Sequence, residues 1–460
     1  MALVSKVGPL REAEIRNSEA ALVACEQFVV SEEAHPCASL PQLSSRMASK
    51  PQGRGQLARA AVLSIFCGPL TVQFSRMLTL SNREWGNLLK WLDISGLALY
   101  FFDRLVELDL CDLLPSAVYA RLQQNLTDNT KRTRGMICES SAIQKEFQMA
   151  GLSYASLKGL SLWPESVPKP ELRSQFDLDY LVGESSAPEA RRILERRGYR
   201  LYAISGRSWE FKLNERPGIS LKDLYKDLPS YAVELHIEPS FSSRPSPLER
   251  LEWRELHGMS IPVLSPVDLL LGQGLHVYKH ICGEFFRVSH LLEFRRHVLA
   301  RRDDNEFWNA LQSAARDNPR ASIGLGVVTL LITRVMGDFA PKGLTSWTVD
   351  CLPLPARLWV DTYGHRVVFG SYPGSKLYLL LQRELEFAGI SGKRPLRRAL
   401  WPSRLPPPVI RAFPNEALPV RIRRNVMQLQ LILARLRFHL VEGLRFALES
   451  RRWRRLQGQV

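Results

Sequence analysis

The chain of 460 residues is long enough for two or more folded units, and its 45% hydrophobic and 23% charged residues fit an ordinary globular protein. Its seven cysteines form no CxxC pair and are odd in number, which argues against a disulfide framework or a zinc knuckle and for a reducing compartment. The net charge of +16 is uneven, because residues 393–460 carry sixteen Lys or Arg against three Glu.

The N-terminal region, residues 1–76, mixes Ser, Pro, Gln and Arg with short apolar runs and has no sustained periodicity. We therefore expect a poorly ordered extension here. Charged residues follow the initial Met too soon for a good signal peptide. No stretch reaches the roughly 18 apolar residues of a membrane-spanning helix, so we expect a cytoplasmic protein without a transmembrane segment.

The next two segments differ in periodicity. In residues 77–150 apolar residues recur every three to four positions, which predicts a helical N-terminal region. Residues 151–264 change to a mixed pattern, which predicts a small α/β core. Its expected strands are 154–157, 175–182, 200–204, 209–213 and, as the last one, 231–237, with a helix over 188–197 and a loop or lid over 214–229.

The strand over 175–182 carries two aspartates, Asp177 and Asp179. A period of two residues directs both carboxylates to one face and their apolar neighbours to the other. Two adjacent carboxylates repel each other unless a cation or a shared proton compensates them. Mg²⁺, which prefers hard oxygen ligands and substrate phosphates, is the cation that this pair predicts, with Mn²⁺ as an alternative. A solvated turn or edge strand is the competing interpretation.

The residues around the aspartates strengthen the metal interpretation. Lys158 and Gly159 follow a short strand, where glycine lets backbone N–H groups approach a phosphate and lysine adds a charge. Arg173 is placed to hold a phosphate oxygen or to fix a carboxylate. Glu234 shares a strand face with His236, and a third carboxylate would complete a two-metal site for phosphoryl or nucleotidyl transfer.

Ser265 is a suitable N-cap, followed by proline, and begins a helical domain predicted over residues 265–345. The first helix places His276 and His280 on one face, a spacing that suits zinc, although no further acid or cysteine supports a zinc site. A second interpretation is that His276, Lys279 and His280 face the cleft and contact nucleotide or acceptor. Packing against the acidic strands is the third.

Residues 346–460 are predicted to form a basic helical C-terminal region, in which arginines alternate with aromatic and aliphatic residues over 393–460. Such a segment can bind RNA, contact an anionic membrane surface, or dock on the protein through its apolar face. We favour docking or a surface role over nucleic-acid binding.

The run from Leu157 to Val182, LKGLSLWPESVPKPELRSQFDLDYLV, resembles the signature of an uncharacterised bacterial nucleotidyltransferase family within the DNA polymerase beta-like superfamily. That signature consists of Leu-Lys-Gly, a small helix, an Arg, and then Asp-x-Asp-x-Leu-Val. The resemblance covers roughly residues 82–293. It implies an α+β fold, with a small mixed nucleotidyltransferase-type sheet inside a mostly helical protein.

The resemblance also implies roles for individual residues. Asp177 and Asp179 would be metal ligands, Glu234 the third acid, and Lys158 with Gly159 the nucleotide-phosphate turn. The sequence also shows departures. Leu160 stands where the superfamily usually has Ser, as expected of this branch, and Glu234 stands where Asp is commoner. A small insertion follows His280, around Cys282-Gly283-Glu284, and Glu293 stands where the family tends to have Asp.

Together these features predict a metal-dependent nucleotidyltransferase that moves an NMP group from an NTP to an unknown acceptor, which is a small molecule, a protein or RNA. The expected nucleotide-binding residues are Lys158, Gly159, Arg173, His236, His276, Lys279 and His280. One alternative is a catalytically inactive nucleotidyltransferase-like binding or scaffold protein, and another is a toxin-like transferase that acts on tRNA. A cluster of three acids at one cleft favours the enzyme over the scaffold.

Overall fold

The structure is a computed structural model that describes residues 53–68, 77, 79–213, 223–227, 231–239, 245–256, 258–316, 318–370, 373–387, 396–401 and 417–458. It contains a mixed seven-stranded sheet within a mostly helical protein, which confirms the predicted α+β class. Most of the predicted N-terminal extension, and most of the loop predicted over 214–229, lies outside the described residues.

Within the described residues, four α-helices precede the sheet. They are α1 (Arg54–Ile65), α2 (Asn82–Ser95), α3 (Ala98–Glu107) and α4 (Ser116–Met149). A capping box begins α2, since the Ser81 hydroxyl accepts a hydrogen bond from Glu84 N–H and the Glu84 carboxylate accepts one from Ser81 N–H. The helix ends at Gly96, whose φ of 73° is left-handed. Helix α1 lies within the predicted extension and was not among the elements expected from the sequence.

The sheet has the strand order β3-β4-β5-β2-β1-β7-β6. Its strands are β1 (Tyr154–Leu157), β2 (Asp177–Gly183), β3 (Arg200–Ser205), β4 (Ser208–Lys212), β5 (Ala232–Glu238), β6 (Leu251–Leu256) and β7 (Met259–Leu264), and α5 (Ala187–Arg196) joins β2 to β3. The central strand β2 pairs antiparallel with β1 and parallel with β5. β1 also pairs parallel with β7, and the remaining pairs are antiparallel. In chain order, β1 to β5 correspond to the five strands predicted from the sequence.

The β6–β7 hairpin corrects the expectation that β5 is the last strand. Pro262 lies inside β7, and a proline in an apolar run argues against a strand in sequence-based reasoning. β6 is the outermost strand of the sheet, and it exposes charged residues and Trp253, which is 59% exposed. An edge strand of this kind lacks the alternation that identifies a half-buried strand.

One face of the sheet packs against α4 and α5. Tyr180 of β2 and Val233 of β5 are fully buried in one core with Phe147 of α4 and Ile193 of α5. Because side chains alternate along a strand, this packing directs the acidic residues of β2 and β5 to the opposite face. The hydrophobic core thus fixes which face carries the charged groups.

Helices cover the rest of the described chain. They are α6 (Pro266–Ile281), α7 (Ser289–Ala300), α8 (Asn305–Ala315), α9 (Pro319–Met336), α10 (Lys342–Thr345), α11 (Leu354–Phe369), α12 (Tyr378–Phe387), α13 (Leu396–Leu400) and α14 (Leu418–Gln457). α6 begins as predicted, with the Ser265 hydroxyl accepting a hydrogen bond from Asp268 N–H at 3.2 Å. A single large core joins α1–α3 to these later helices. None of the described helices combines the length and apolar character that crossing a bilayer requires.

The long helix α14 contacts the protein through only some of its residues. Trp453 donates a hydrogen bond to Glu384 at 3.0 Å, and Arg435 pairs with Glu284 at 3.1 Å. Many of its other apolar side chains are exposed, among them Leu444 at 68%. The basic C-terminal region is therefore partly docked, and its contact with an anionic surface stays a prediction.

A largely buried ion pair ties the segment before β2 to the helices. Arg173 Nε lies 3.3 Å from Glu293 Oε1 on α7, and Tyr100 of α3 donates a hydrogen bond to the same oxygen at 3.0 Å. The side chains of Arg173 and Glu293 are 16% and 2% exposed. Removing one partner of such a pair leaves the other charge without compensation in a poorly solvated place.

We predict that Glu293→Gln lowers the free energy of unfolding by about 3 kcal/mol, because the Arg173 guanidinium loses its counter-charge while the shape of the site is kept. Urea unfolding followed by circular dichroism measures the change. Glu195→Gln on α5 is the matched control, since Glu195 pairs with Arg191 at an exposed position and should change stability by at most about 0.5 kcal/mol. Equal effects of the two substitutions would contradict the prediction.

Candidate active site

The acidic residues lie where β1 ends and where β2 and β5 begin. Leu157 at the end of β1 pairs with Asp179 of β2, and Asp179 pairs in turn with Glu234 of β5. Asp177 lies two residues before Asp179 and therefore points to the same face. The structure thus brings all three predicted acids to one face of the sheet.

Lys158, which directly follows β1, bridges two of these acids. Its Nζ lies 2.7 Å from Asp179 Oδ1 and 3.7 Å from Glu234 Oε2. Burial would lower the pKa of Lys158, but the charges of Asp179, Glu234 and Asp177 raise it above its usual value. The ammonium group is therefore a fixed positive charge inside the acid cluster.

His236 supplies a second cation to the cluster. Its Nε2 lies 3.0 Å from Asp179 Oδ1 and 3.5 Å from Glu234 Oε2. Burial alone would lower the pKa of His236, but these hydrogen bonds raise it to about 9, so the ring is protonated at neutral pH. Glu234 also accepts a hydrogen bond from Ser208 on β4. The pKa of Asp179 and that of Glu234 both lie below their usual values, despite burial, because Lys158 and His236 are near.

Asp177 is the least compensated of the three acids. Burial and repulsion from Asp179 raise its pKa to about 6, although Lys158 and Arg173 act in the opposite direction. A carboxylate in this situation is stabilised by any additional cation that binds beside it. Within the cluster, the negative charge is therefore least compensated at Asp177.

The turn after β1 has an unusual backbone. Lys158 has a φ of 48° and Gly159 a φ of 36°, so a non-glycine residue and a glycine both have a positive φ, which L side chains rarely adopt. A Cβ at Gly159 would overlap the side-chain amide of Gln175, which donates a hydrogen bond to Asp177 O at 2.8 Å. The turn is therefore closely packed against the segment that leads into the acidic strand.

Arg173 and Gly159 line one pocket beside this turn. In the structure the guanidinium of Arg173 holds a carboxylate, that of Glu293, which is one of the two possibilities raised from the sequence. Its Nη1 also donates a hydrogen bond to Gln175 Oε1 at 3.3 Å. Arg173 thus stabilises the wall of the pocket, and its contact with a nucleotide phosphate stays a prediction.

The histidines of α6 lie beside the acid cluster. Lys158 and Asp179 both influence the pKa of His276, which burial lowers well below its usual value. Lys279 is exposed. Burial lowers the pKa of His280 and the charge of Lys279 lowers it further, whereas the hydrogen bond that His280 donates to the Phe285 carbonyl raises it. No local sequence pattern connects these residues with His290 of α7, whose ring centroid lies 5.3 Å from that of His276.

The donor atoms of the acid cluster fit a divalent cation. One carboxylate oxygen of Asp179 and one of Glu234 lie within 4.8 Å of each other, whereas the protonated ring of His236 beside them has no lone pair for a metal. Carboxylate oxygens are the ligands that Mg²⁺ prefers, and a metal ion would compete with the ammonium of Lys158 for two of them. The chemistry of the cluster therefore suits Mg²⁺ or Mn²⁺, while the metal-binding and catalytic roles of its residues stay predictions.

Comparison with protein families identifies the group to which the chain is related. Residues 81–333, more than half of the chain, match the family model described as uncharacterised nucleotidyltransferase. The chain belongs to this family. Membership supports a general nucleotidyltransferase role. A search of curated proteins gives no match.

Among solved structures, the chain is similar to an antigenic nucleotidyltransferase-like protein from Paracoccidioides brasiliensis. The two are 14% identical in sequence with a TM-score of 0.28, and the match covers 47% of this chain and 97% of the other. A TM-score of this size carries no argument about fold or function.

We predict that Gly159→Ala destabilises the protein by more than about 1 kcal/mol, because an added methyl group strains the left-handed backbone and displaces Gln175. The matched control is Gly206→Ala in the β3–β4 turn, where φ is 59° and an added Cβ meets no described atom within 4 Å. This control carries only the backbone strain, of about 1 kcal/mol. Thermal unfolding of the two variants measures the difference, and a Gly206 variant as unstable as the Gly159 variant would contradict the steric argument.

Proposed function

We propose that the protein transfers an NMP group from an NTP to an acceptor hydroxyl or phosphate, with Mg²⁺ or Mn²⁺ held by Asp177, Asp179 and Glu234. The proposal rests on one observation. Three acids from two strands lie close together beside the Lys158–Gly159 turn. A bound divalent cation would supply charge neutralisation for the triphosphate and for the leaving pyrophosphate.

The remaining roles follow from charge and position. Lys158 contributes a permanent positive charge between the acids and the incoming triphosphate, and Gly159 gives the turn its positive φ beside the proposed phosphate site. His236 is protonated and donates a hydrogen bond, which suits a phosphate oxygen. The side chain of Glu234 is 27% exposed, and its carboxylate accepts the proton of the acceptor hydroxyl.

Residues farther along the cleft complete the proposed nucleotide site. Arg173 fixes the pocket wall through Glu293 and Gln175 and adds positive charge near the phosphates. His276, Lys279 and His280 lie on α6 beside the acid cluster, where they contact nucleotide or acceptor. The acceptor class stays open among small molecules, proteins and RNA.

A second candidate is the inactive scaffold, and one observation favours it. Lys158 and His236 already neutralise Asp179 and Glu234 within the protein, so these two acids are stable without a metal. In such a scaffold the cluster would be an internal ion-pair network. The two candidates differ in what they require of Asp177, which has no comparable ion-pair partner among the residues that the structure describes.

We predict that Asp177→Asn lowers Mg²⁺-dependent NTP turnover by more than about 100-fold, because it removes a metal ligand. The melting temperature without metal should stay equal or rise, since the substitution relieves repulsion between Asp177 and Asp179. Incubation of the protein with each labelled NTP and a cell extract, followed by detection of labelled products, measures turnover. Asp338→Asn, at an exposed position, is the matched control.

The same variants separate the enzyme from the scaffold. In the enzyme, Mg²⁺ raises the melting temperature of the natural protein and of the Asp338 variant, but not that of the Asp177 variant. In the scaffold, Mg²⁺ changes none of the three and no labelled product depends on Asp177. The second result would falsify the proposed transfer reaction.

A further inference from the structure

Three histidines form a cluster next to the acids, and the proposed reaction gives none of them a metal to bind. His276 and His280 lie one turn apart on α6, and His290 lies in the first turn of α7. One ring nitrogen from each lies within 4.8 Å of the other two. Their ring centroids are separated by 4.5, 5.2 and 5.3 Å. Ring nitrogens of three histidines on two helices thus lie close to one another.

The hydrogen bond of His280 determines which of its nitrogens is available. Nδ1 lies 2.8 Å from the backbone carbonyl oxygen of Phe285. A carbonyl oxygen only accepts hydrogen bonds, so Nδ1 carries the proton and the neutral ring presents a bare lone pair at Nε2. Metal-binding histidines usually have this arrangement, in which a backbone carbonyl or carboxylate orients the ring through its other N–H.

His290 provides a second, independent indication. It is 8% exposed, and among the described residues its Nδ1 has no hydrogen-bond partner. A buried ring nitrogen without a partner is costly, because it has lost its hydrogen bonds to water without replacement. A metal ion bound at the cluster would remove that cost.

The protonation state of the cluster also suits a metal. Burial lowers the pKa of all three histidines below the usual value, with further lowering from the neighbouring histidines at His276 and His290. The rings are therefore neutral at physiological pH, which is the form that binds metals. A neutral His280 with a lone pair directed away from Phe285 repels an anion at that nitrogen, so a phosphate group is the less suitable occupant.

Nearby positive charges oppose a cation, and two of them are paired with carboxylates. Arg173 and Lys158 lower the pKa of His276, and Arg287 lowers that of His280 and of His290, with Lys279 also acting on His280. Arg173 is paired with Glu293, and Lys158 with Asp179. Their effect on the histidine cluster is therefore reduced by a carboxylate beside each of them.

We propose that His276, His280 and His290 bind one divalent transition-metal ion of the Zn²⁺ class through imidazole nitrogens. Three nitrogen ligands leave one tetrahedral position open for water or for an oxygen of a bound substrate. The site is distinct from the carboxylate site, because imidazole suits Zn²⁺, Ni²⁺ or Co²⁺, whereas carboxylates suit Mg²⁺ or Mn²⁺. The inference does not depend on the proposed transfer reaction, since it concerns another set of metal ligands and another class of metal.

The test is a Zn²⁺ titration of the full chain without a histidine tag, after removal of metals with a chelator, against a competing chromophoric chelator. We expect the natural protein to bind one Zn²⁺ ion per chain tightly. His290→Ala and His280→Ala should weaken its binding by more than about 100-fold, since loss of a group that merely orients a ligand already costs about 10–100-fold. His365→Ala on α11, outside the cluster, should bind as the natural protein does.

Two further measurements keep the result independent of folding defects. Co²⁺ added to the natural protein should give the visible absorption of a tetrahedral nitrogen-ligated ion, which requires no variant. His236→Ala tests the acid cluster as the rival zinc site and should retain the bound equivalent. Absence of a tight equivalent in the natural protein overturns the proposal. So does a bound equivalent that survives in the His290 and His280 variants, or one that is lost in the His236 variant.

Discussion

The in-register parallel pairing of β2 with β5 sets the position of the charged groups on which the site depends. It places Asp179 beside Glu234, and these two carboxylates would repel each other if no cation were near. Lys158 from the end of β1 and His236 from β5 provide the compensating charges. A shift of one residue in this register would turn Glu234 into the hydrophobic core and separate the acids. Core packing behind the sheet therefore also maintains the charged face.

Two clusters of different chemistry lie side by side in this cleft. The acid cluster offers hard oxygen atoms and contains permanent positive charges, whereas the histidine cluster offers neutral nitrogen atoms. The Arg173–Glu293 pair connects the two regions, because Arg173 precedes the acidic strand and Glu293 follows His290 by one turn of α7. The geometry of both clusters thus rests on how the helices dock on the sheet.

Local patterns made part of this arrangement predictable from the sequence. The alternation around Asp177 predicted the acidic strand, and the Ser265 cap predicted the start of α6, because both signals lie within a few adjacent residues. The hairpin around Pro262 was missed, since its strands are stabilised by neighbours far away in the chain. The nearness of His290 to His276 and the partner of Arg173 were equally beyond local reasoning, because each depends on the packing of separate helices.

The order of strands in the sheet has a consequence for folding. β1 and β2 are close in the chain and pair early at little entropic cost, whereas β5 reaches β2 only after the chain has passed through α5 and two further strands. Contacts between distant segments form slowly, so Asp179 and Glu234 come together late. During synthesis on the ribosome, the acid cluster therefore stays incomplete until β5 has emerged, and the proposed binding of a divalent ion by all three acids would follow the pairing of β5 with β2.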